Sequence, residues 1–147
     1  MDRDLLGRRV RDGLYSEAML LADELRSYLD GVGRGDAELL GPLARVRFSC
    51  ESLKTTTRVM HVVAWLMTMR AVDSGEIAPV EARLPARRLG EEPALDRQAV
   101  AELPPRARAL AEAGVDLFRR VAALDAALGE PADSPARLMQ DRLRATF

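Results

Sequence analysis

A chain of 147 residues falls within the usual size of one domain and buries roughly two-thirds of its unfolded surface on folding, which predicts a single core. Lys and Arg number 22 against 23 Asp and Glu, a formal charge of -1, so no overall positive field draws the chain to nucleic acid or anionic lipid. One cysteine, Cys50, excludes an internal disulfide, and Met1-Asp2-Arg3-Asp4 lacks the apolar run of a secretory signal, so the expected compartment is the cytoplasm.

The first periodic element is a helix over about 5–29. Leu14, Ala18, Leu21, Leu25 and Tyr28 alternate at steps of three and four, while Glu17, Asp23, Glu24 and Arg26 fall opposite them. Gly31, Gly33 and Gly35 end it with permissive backbone, and Asp36 or a neighbour is the expected cap of the next helix, with Pro42 in its first turns. That second helix, about 38–73, is the longest. Leu43, Val46, Cys50, Leu53, Thr57, Met60, Ala64, Met67 and Ala71 keep the same alternation and are read as its core seam. Its most apolar stretch, Val59 to Met69, is about half as long as a bilayer span, contains His61 and lies between Arg58 and Arg70, so it reads as a buried helix and no membrane association is expected.

Asp73-Ser74-Gly75 marks the stop. From Glu76 to Leu103 the chain carries Pro79, Pro85 and Pro93 with scattered apolar residues, and reads as a surface excursion with a short helix near 79–83. Pro104-Pro105 then opens a third helix, about 104–128, with Ala107, Leu110, Gly114, Leu117, Val121, Leu124 and Leu128 in register. Gly114 is out of character inside a helix, and close approach of a bulky neighbour such as Trp65 is its expected reason. Pro131 and Pro135 detach 129–147 as a flexible tail that would turn helical on a partner. The fold expected is all-α: an antiparallel three-helix bundle over 1–128 with one long central helix, left-handed, crossing at about 20°.

The central helix has more apolar surface than one seam requires. Val59, Val62, Val63, Leu66 and Met69 form a second set, with Trp65 and Val72 between the two. A surplus strip needs a cover, and the favoured cover is a second copy or a partner protein. The alternative is that the excursion 76–103 folds back over it. At the border of the strip, Glu51, Lys54, Thr55, Thr56, Thr57 and Arg58 crowd two turns with poor helix formers. Either the Thr hydroxyls bond back to carbonyls one turn earlier while Arg58 pairs with Glu51 or with acids of the first helix, or the cluster is a binding edge anchored by Arg58. The expected protein-binding or dimer interface is therefore Glu51, Thr55, Arg58, Val59, Val62, Trp65, Leu66 and Met69.

Catalytic constellations are scarce. Cys50 sits on the seam and reads as a small core residue, and His61 reads as a buried or interface imidazole. One His and one Cys cannot build a zinc site, no Gly-rich loop follows a strand, and no Glu precedes a His by three residues as helical carboxylate metal centres require. The residues thus predict a protein that is not an enzyme and has no metal or cofactor.

The run from Glu51-Ser52-Leu53-Lys54-Thr55-Thr56-Thr57-Arg58 through Val59-Met60-His61-Val62-Val63-Ala64-Trp65-Leu66, with Arg70-Ala71-Val72 and Gly75-Glu76, resembles the signature of the regulator of CtrA degradation (RcdA) family of alphaproteobacteria. Tyr15-Ser16-Glu17-Ala18-Met19, Tyr28-Leu29-Asp30-Gly31 with Gly33-Arg34, Leu103-Pro104 and Arg120-Val121-Ala122-Ala123-Leu124-Asp125 extend the similarity over all three helices. The resemblance implies a dimeric three-helix bundle with a flexible C-terminal tail. It also implies an adaptor that tethers cargo, including CtrA, to a primed ClpXP protease at raised effective concentration. The least matched parts are 78–102 and the tail after Leu128. Two other classes stand beside it: a small helical dimeric enzyme resembling chorismate mutase, using Arg58 and Glu51, and a DNA-associated regulator, which the charge and the lack of a short helix-turn-helix pattern disfavour.

Overall fold

The computed structural model describes residues 2–129 and 135–146, and among them every regular element is helical. In chain order these are α1 (Asp2–Asp30), α2 (Val32–Glu38), α3 (Pro42–Asp73), α4 (Arg97–Ala101), α5 (Pro105–Gly129) and α6 (Pro135–Thr146), with two single 3-10 turns at Glu81–Arg83 and Pro85–Arg87. The seams of the outer helices face inward as their spacing requires: Leu14, Ala18, Leu21, Leu25 and Tyr28 of α1 and Ala107, Leu110, Leu117 and Val121 of α5 are buried in one cluster.

Two local features depart from the sequence expectations. The Gly31–Gly35 stretch does not simply turn; it forms the short helix α2, where Gly33 approaches Tyr28 so closely that a Cβ would lie 2.7 Å from the Tyr28 carbonyl oxygen. Asp36 caps nothing and instead accepts a 2.7 Å hydrogen bond from the Tyr28 hydroxyl, while α3 begins at Pro42 behind Gly41. Burial, then the Asp36 carboxylate, hold the Tyr28 phenol well above its ordinary pKa. At the other end, α3 closes through Gly75 at φ +81°, with the Glu76 amide bonded to the Ala71 carbonyl. Within 129–147, read as a flexible tail, Pro135–Thr146 form the helix α6, and Pro131 lies outside the described residues.

The three long helices each pack on the other two, but they are not all antiparallel. Arg11 near the start of α1 donates to the Asp73 carboxylate at the end of α3 (2.8 and 3.0 Å), and Tyr28 at the end of α1 meets Phe48 near the start of α3 with ring centroids 6.5 Å apart. Helix α1 therefore runs against α3. Along α3 and α5, Thr55 faces Gly114 and Trp65 bonds to Asp125, so these two helices run the same way. Parallel neighbours need a connection as long as the helix they share, and this is what the excursion supplies. It crosses from the end of α3 to the start of α5, burying Ala82, Leu89, Ala99, Val100 and Leu103 as it goes.

Candidate interaction surfaces

All eight residues read from sequence as an interface lie inside the monomer. Glu51, Thr55, Arg58, Val59, Val62, Trp65, Leu66 and Met69 are buried, with Arg58, Val62 and Leu66 at 0% exposure. The cover is the chain itself: α1, α5 and the returning excursion. The assumed core seam is correspondingly outside, with Leu43, Val46, Leu53, Met60 and Met67 each more than half exposed. Cys50, read as a core residue, and His61, read as a buried or interface imidazole, are both exposed on that outer side.

The inversion has a simple geometric cause. Phe48, Glu51, Thr55, Arg58, Val62, Trp65 and Met69 repeat the three-four alternation, falling alternately two and one positions after the outer row. A mean offset of about one and a half positions at 100° each rotates the seam by about 150°, to the far side of the helix. Two heptad registers thus coexist on α3. The inner one looked like the surface because it carries Glu51, Thr55 and Arg58.

Of those three polar residues Thr55 is fully bonded, while Glu51 Oε2 and the Nε and Nη1 of Arg58 are buried without a hydrogen-bond partner. The hydroxyls of Thr55, Thr56 and Thr57 each donate to the carbonyl four residues earlier, at 2.9 Å, so the Thr run is satisfied within its own helix. Arg58 pairs with neither Glu51 nor α1. It donates to the Pro93 carbonyl at 2.8 Å, and its Nε lies 3.4 Å from Glu92, which also approaches Arg119 at 3.6 Å. Glu51 is bonded instead by Lys54 at 3.2 Å. A few residues further along, the Asp125 carboxylate accepts from Trp65 Nε1 (2.9 Å) and Arg88 Nε (2.8 Å). Arg58 and Arg88 are two pins that hold the excursion onto α3 and α5, and the Asp125 hydrogen bond raises the Arg88 pKa further.

On the surface, the α3 row runs from Leu43 to Met67, about 36 Å at 1.5 Å per residue. Beside it an apolar groove of about 450 Å³ opens between α1 and α3, lined by Met19, Ala22, Leu25, Leu29, Val59 and Met60 and rimmed by Asp23, Arg26 and Asp30. A second apolar groove, about 460 Å³, lies between the start of α1 and the end of α5. Sequence periodicity finds the outer row but not these grooves, which are formed by pairs of helices.

Chemistry has little footing on this surface. Cys50 and His61 are 11 positions apart on one helix, hence about 16 Å, too far for a thiolate–imidazole pair. Among the described residues no group of three or more His, Cys, Asp or Glu side chains would hold a metal ion, and no helix is long and apolar enough to cross a membrane. Arg58, which a chorismate-mutase-like site would need within reach of substrate, has no exposed surface.

The comparisons agree with this architecture. A family model described as a protein of unknown function, DUF1465, matches residues 3–147. No curated protein matches the chain. Among solved structures, that of RcdA from Caulobacter crescentus CB15 is similar at 34% identity and a TM-score of 0.67, covering 80% of this chain and 89% of that one. With a family model spanning nearly the whole chain and a relative this similar along most of its own length, the chain belongs to the DUF1465 family that includes RcdA.

Proposed function

We propose that the chain is a non-enzymatic adaptor in regulated proteolysis. It binds cargo proteins and a primed ClpXP protease in the cytoplasm, and so promotes degradation of cell-cycle regulators such as CtrA. Its core is a three-helix domain over residues 1–128, with the C-terminal segment as a further contact. The observation that carries the reading is the outer row of α3: Leu43, Val46, Leu53, Met60 and Met67 at heptad spacing, exposed along most of a 32-residue helix. A helix that keeps a heptad seam on its outside matches another helix knob into hole. Family membership supplies the biological setting. The same row is proposed to mediate a homodimer, because two copies meeting face to face form a self-complementary contact with no further surface required.

The test is reconstituted degradation of CtrA by ClpXP with its priming factor, with the chain as wild type and as Leu53→Lys/Met60→Lys, alongside the mass of each in solution. The wild type is expected to accelerate degradation and the double variant to lose both acceleration and self-association while keeping its helical signal. Unchanged delivery and mass in the variant would remove the row from the function; no acceleration by the wild type would remove the cargo.

A further inference from the structure

The two apolar grooves differ in what remains unpaired at their rims. Between α1 and α5 the one charged lining residue, Arg11, is held by the Asp73 carboxylate, so nothing there selects an occupant. Between α1 and α3 the floor is Leu25 and Val59, and Met19, Leu29 and Met60 form the walls. The Thr56 hydroxyl is committed to the Ser52 carbonyl, so the lining carries no free hydroxyl. On the rim, Asp23 and Arg26 bond each other at 2.8 Å and cancel. Asp30 is left. It is the exposed last residue of α1, whose last turn carries no basic residue, and among the described residues no ion pair reaches it.

Length and backbone chemistry decide the shape of the occupant. Met19 to Asp30 is a stretch of α1 about 16 Å long at 1.5 Å per residue, the span of about three helical turns. An extended peptide would lay unpaired amides and carbonyls on apolar walls, because both banks are helices whose backbone groups bond within themselves. A helix brings its backbone already satisfied and places side chains at i, i+4 and i+7 along the trough of about 450 Å³. Asp30 then sets direction, since a lysine or arginine beyond one end of the apolar edge pairs with it and an acid there is repelled. An exposed ion pair changes affinity only a few-fold, so apolar contact supplies the binding while the carboxylate selects partner and orientation. The chain's own α6 does not fill the groove: Met139 and Leu143 are exposed, and none of its described residues lines it.

We propose that the α1/α3 groove docks an amphipathic helix of another protein, its apolar edge seated between Met19 and Met60 and a basic residue at one end paired with Asp30. The proposal rests on the reading of the chain as a protein-binding adaptor and names the chemistry of one partner. The contact is separable from the outer row of α3, because Leu43, Val46 and Leu53 do not line the groove.

The probe is a fluorescein-labelled helical peptide with leucines at i, i+4 and i+7 and lysines beyond one end, alongside a copy carrying glutamates in place of the lysines. Fluorescence anisotropy with the full chain at low salt reads both. The lysine peptide is expected to saturate the wild type and to bind about fivefold tighter than the glutamate peptide. Asp30→Lys should invert that preference. Met19→Lys, at a position 44% exposed, should weaken both peptides by about tenfold or more, and Leu53→Lys should change neither. No saturable binding, or a preference that Asp30→Lys leaves unaltered, overturns the proposal. Loss with Leu53→Lys but not with Met19→Lys gives the helix to the α3 row and overturns it as well. If Met139→Asp/Leu143→Asp in the full chain binds the lysine peptide about tenfold tighter than the wild type, α6 of another copy holds the groove and the choice of partner is wrong. Neither peptide draws on CtrA or ClpXP, so failed delivery of CtrA and failed peptide binding are separate results.

Discussion

Gly114 of α5 lies directly against Thr55 of α3: a Cβ on the glycine would be 3.3 Å from the Thr55 methyl and 3.9 Å from a Val59 methyl. Thr55 cannot swing aside, because its hydroxyl is committed to the Glu51 carbonyl. The neighbour expected from sequence was Trp65; the helix is instead brought close by Thr55 and Val59. Gly114→Ala gains about 1 kcal/mol of helix propensity and loses 1–3 to overpacking, so a net loss of about 1 kcal/mol is expected. Thr55→Ser removes the methyl and keeps the hydroxyl, and should reverse most of that loss in the double variant. Urea denaturation of the four-member cycle checks it, and simple additivity would sink the claim that these two groups touch.

The two seams of α3 respond oppositely to charge. Val62 has no exposed surface, so Val62→Asp buries an unpaired carboxylate and should cost more than about 4 kcal/mol or prevent folding. Met60, two residues away and 54% exposed, should tolerate Asp within about 0.5 kcal/mol. Circular dichroism melts separate the two, and equal sensitivity would mean that α3 is rotated from the orientation described.

The outer helices could be read directly because each has one apolar face: Leu14 to Tyr28 and Ala107 to Val121 had only one way to turn. Helix α3 is apolar on both sides, and periodicity alone cannot say which side is inner. The available clue was the excursion, whose Leu89, Val100 and Leu103 needed somewhere to pack and whose length suits an end-to-end return. Giving that segment its own demand for burial would have predicted both the cover over Val62 and Leu66 and the parallel course of α3 and α5. The Thr hydroxyl bonds were legible because they depend only on the preceding turn. Arg58 was not, since its partners Glu92 and Pro93 lie more than thirty residues along the chain.

Arg58 also sets a prediction about the excursion. Its guanidinium is fully buried and reaches the Pro93 carbonyl as a planar donor, a geometry that a lysine ammonium does not reproduce. Arg58→Lys should therefore destabilise by about 2 kcal/mol, and Arg58→Ala by about 3, because Glu92 and the Pro93 carbonyl lose their partner. Hydrogen exchange locates the effect: amides from 88 to 95 should lose protection before those of α1. Uniform loss across the molecule would mean that Arg58 supports the core at large and does not pin this segment.

The Glu17–Arg120 pair ties α1 to α5 and gives the acid dependence. Its Nη1–Oε2 contact is 3.0 Å, and the Arg120 hydrogen bond holds the Glu17 carboxyl below its ordinary value of 4.5. A depressed carboxyl pKa contributes stability that is complete above the unfolded value and disappears as pH falls through the folded one. Glu17→Gln should therefore be less stable than the wild type at neutral pH, with the difference vanishing as the solution is acidified below 4.5. Both side chains are nearly half exposed and Arg120 keeps Asp116 at 3.0 Å, so the neutral-pH difference should be within about 1 kcal/mol and shrink with added salt. Thermal melts across the acid range measure it. A difference that persists unchanged in acid would show that Glu17 acts through packing, since only the ionised carboxylate can be lost by protonation.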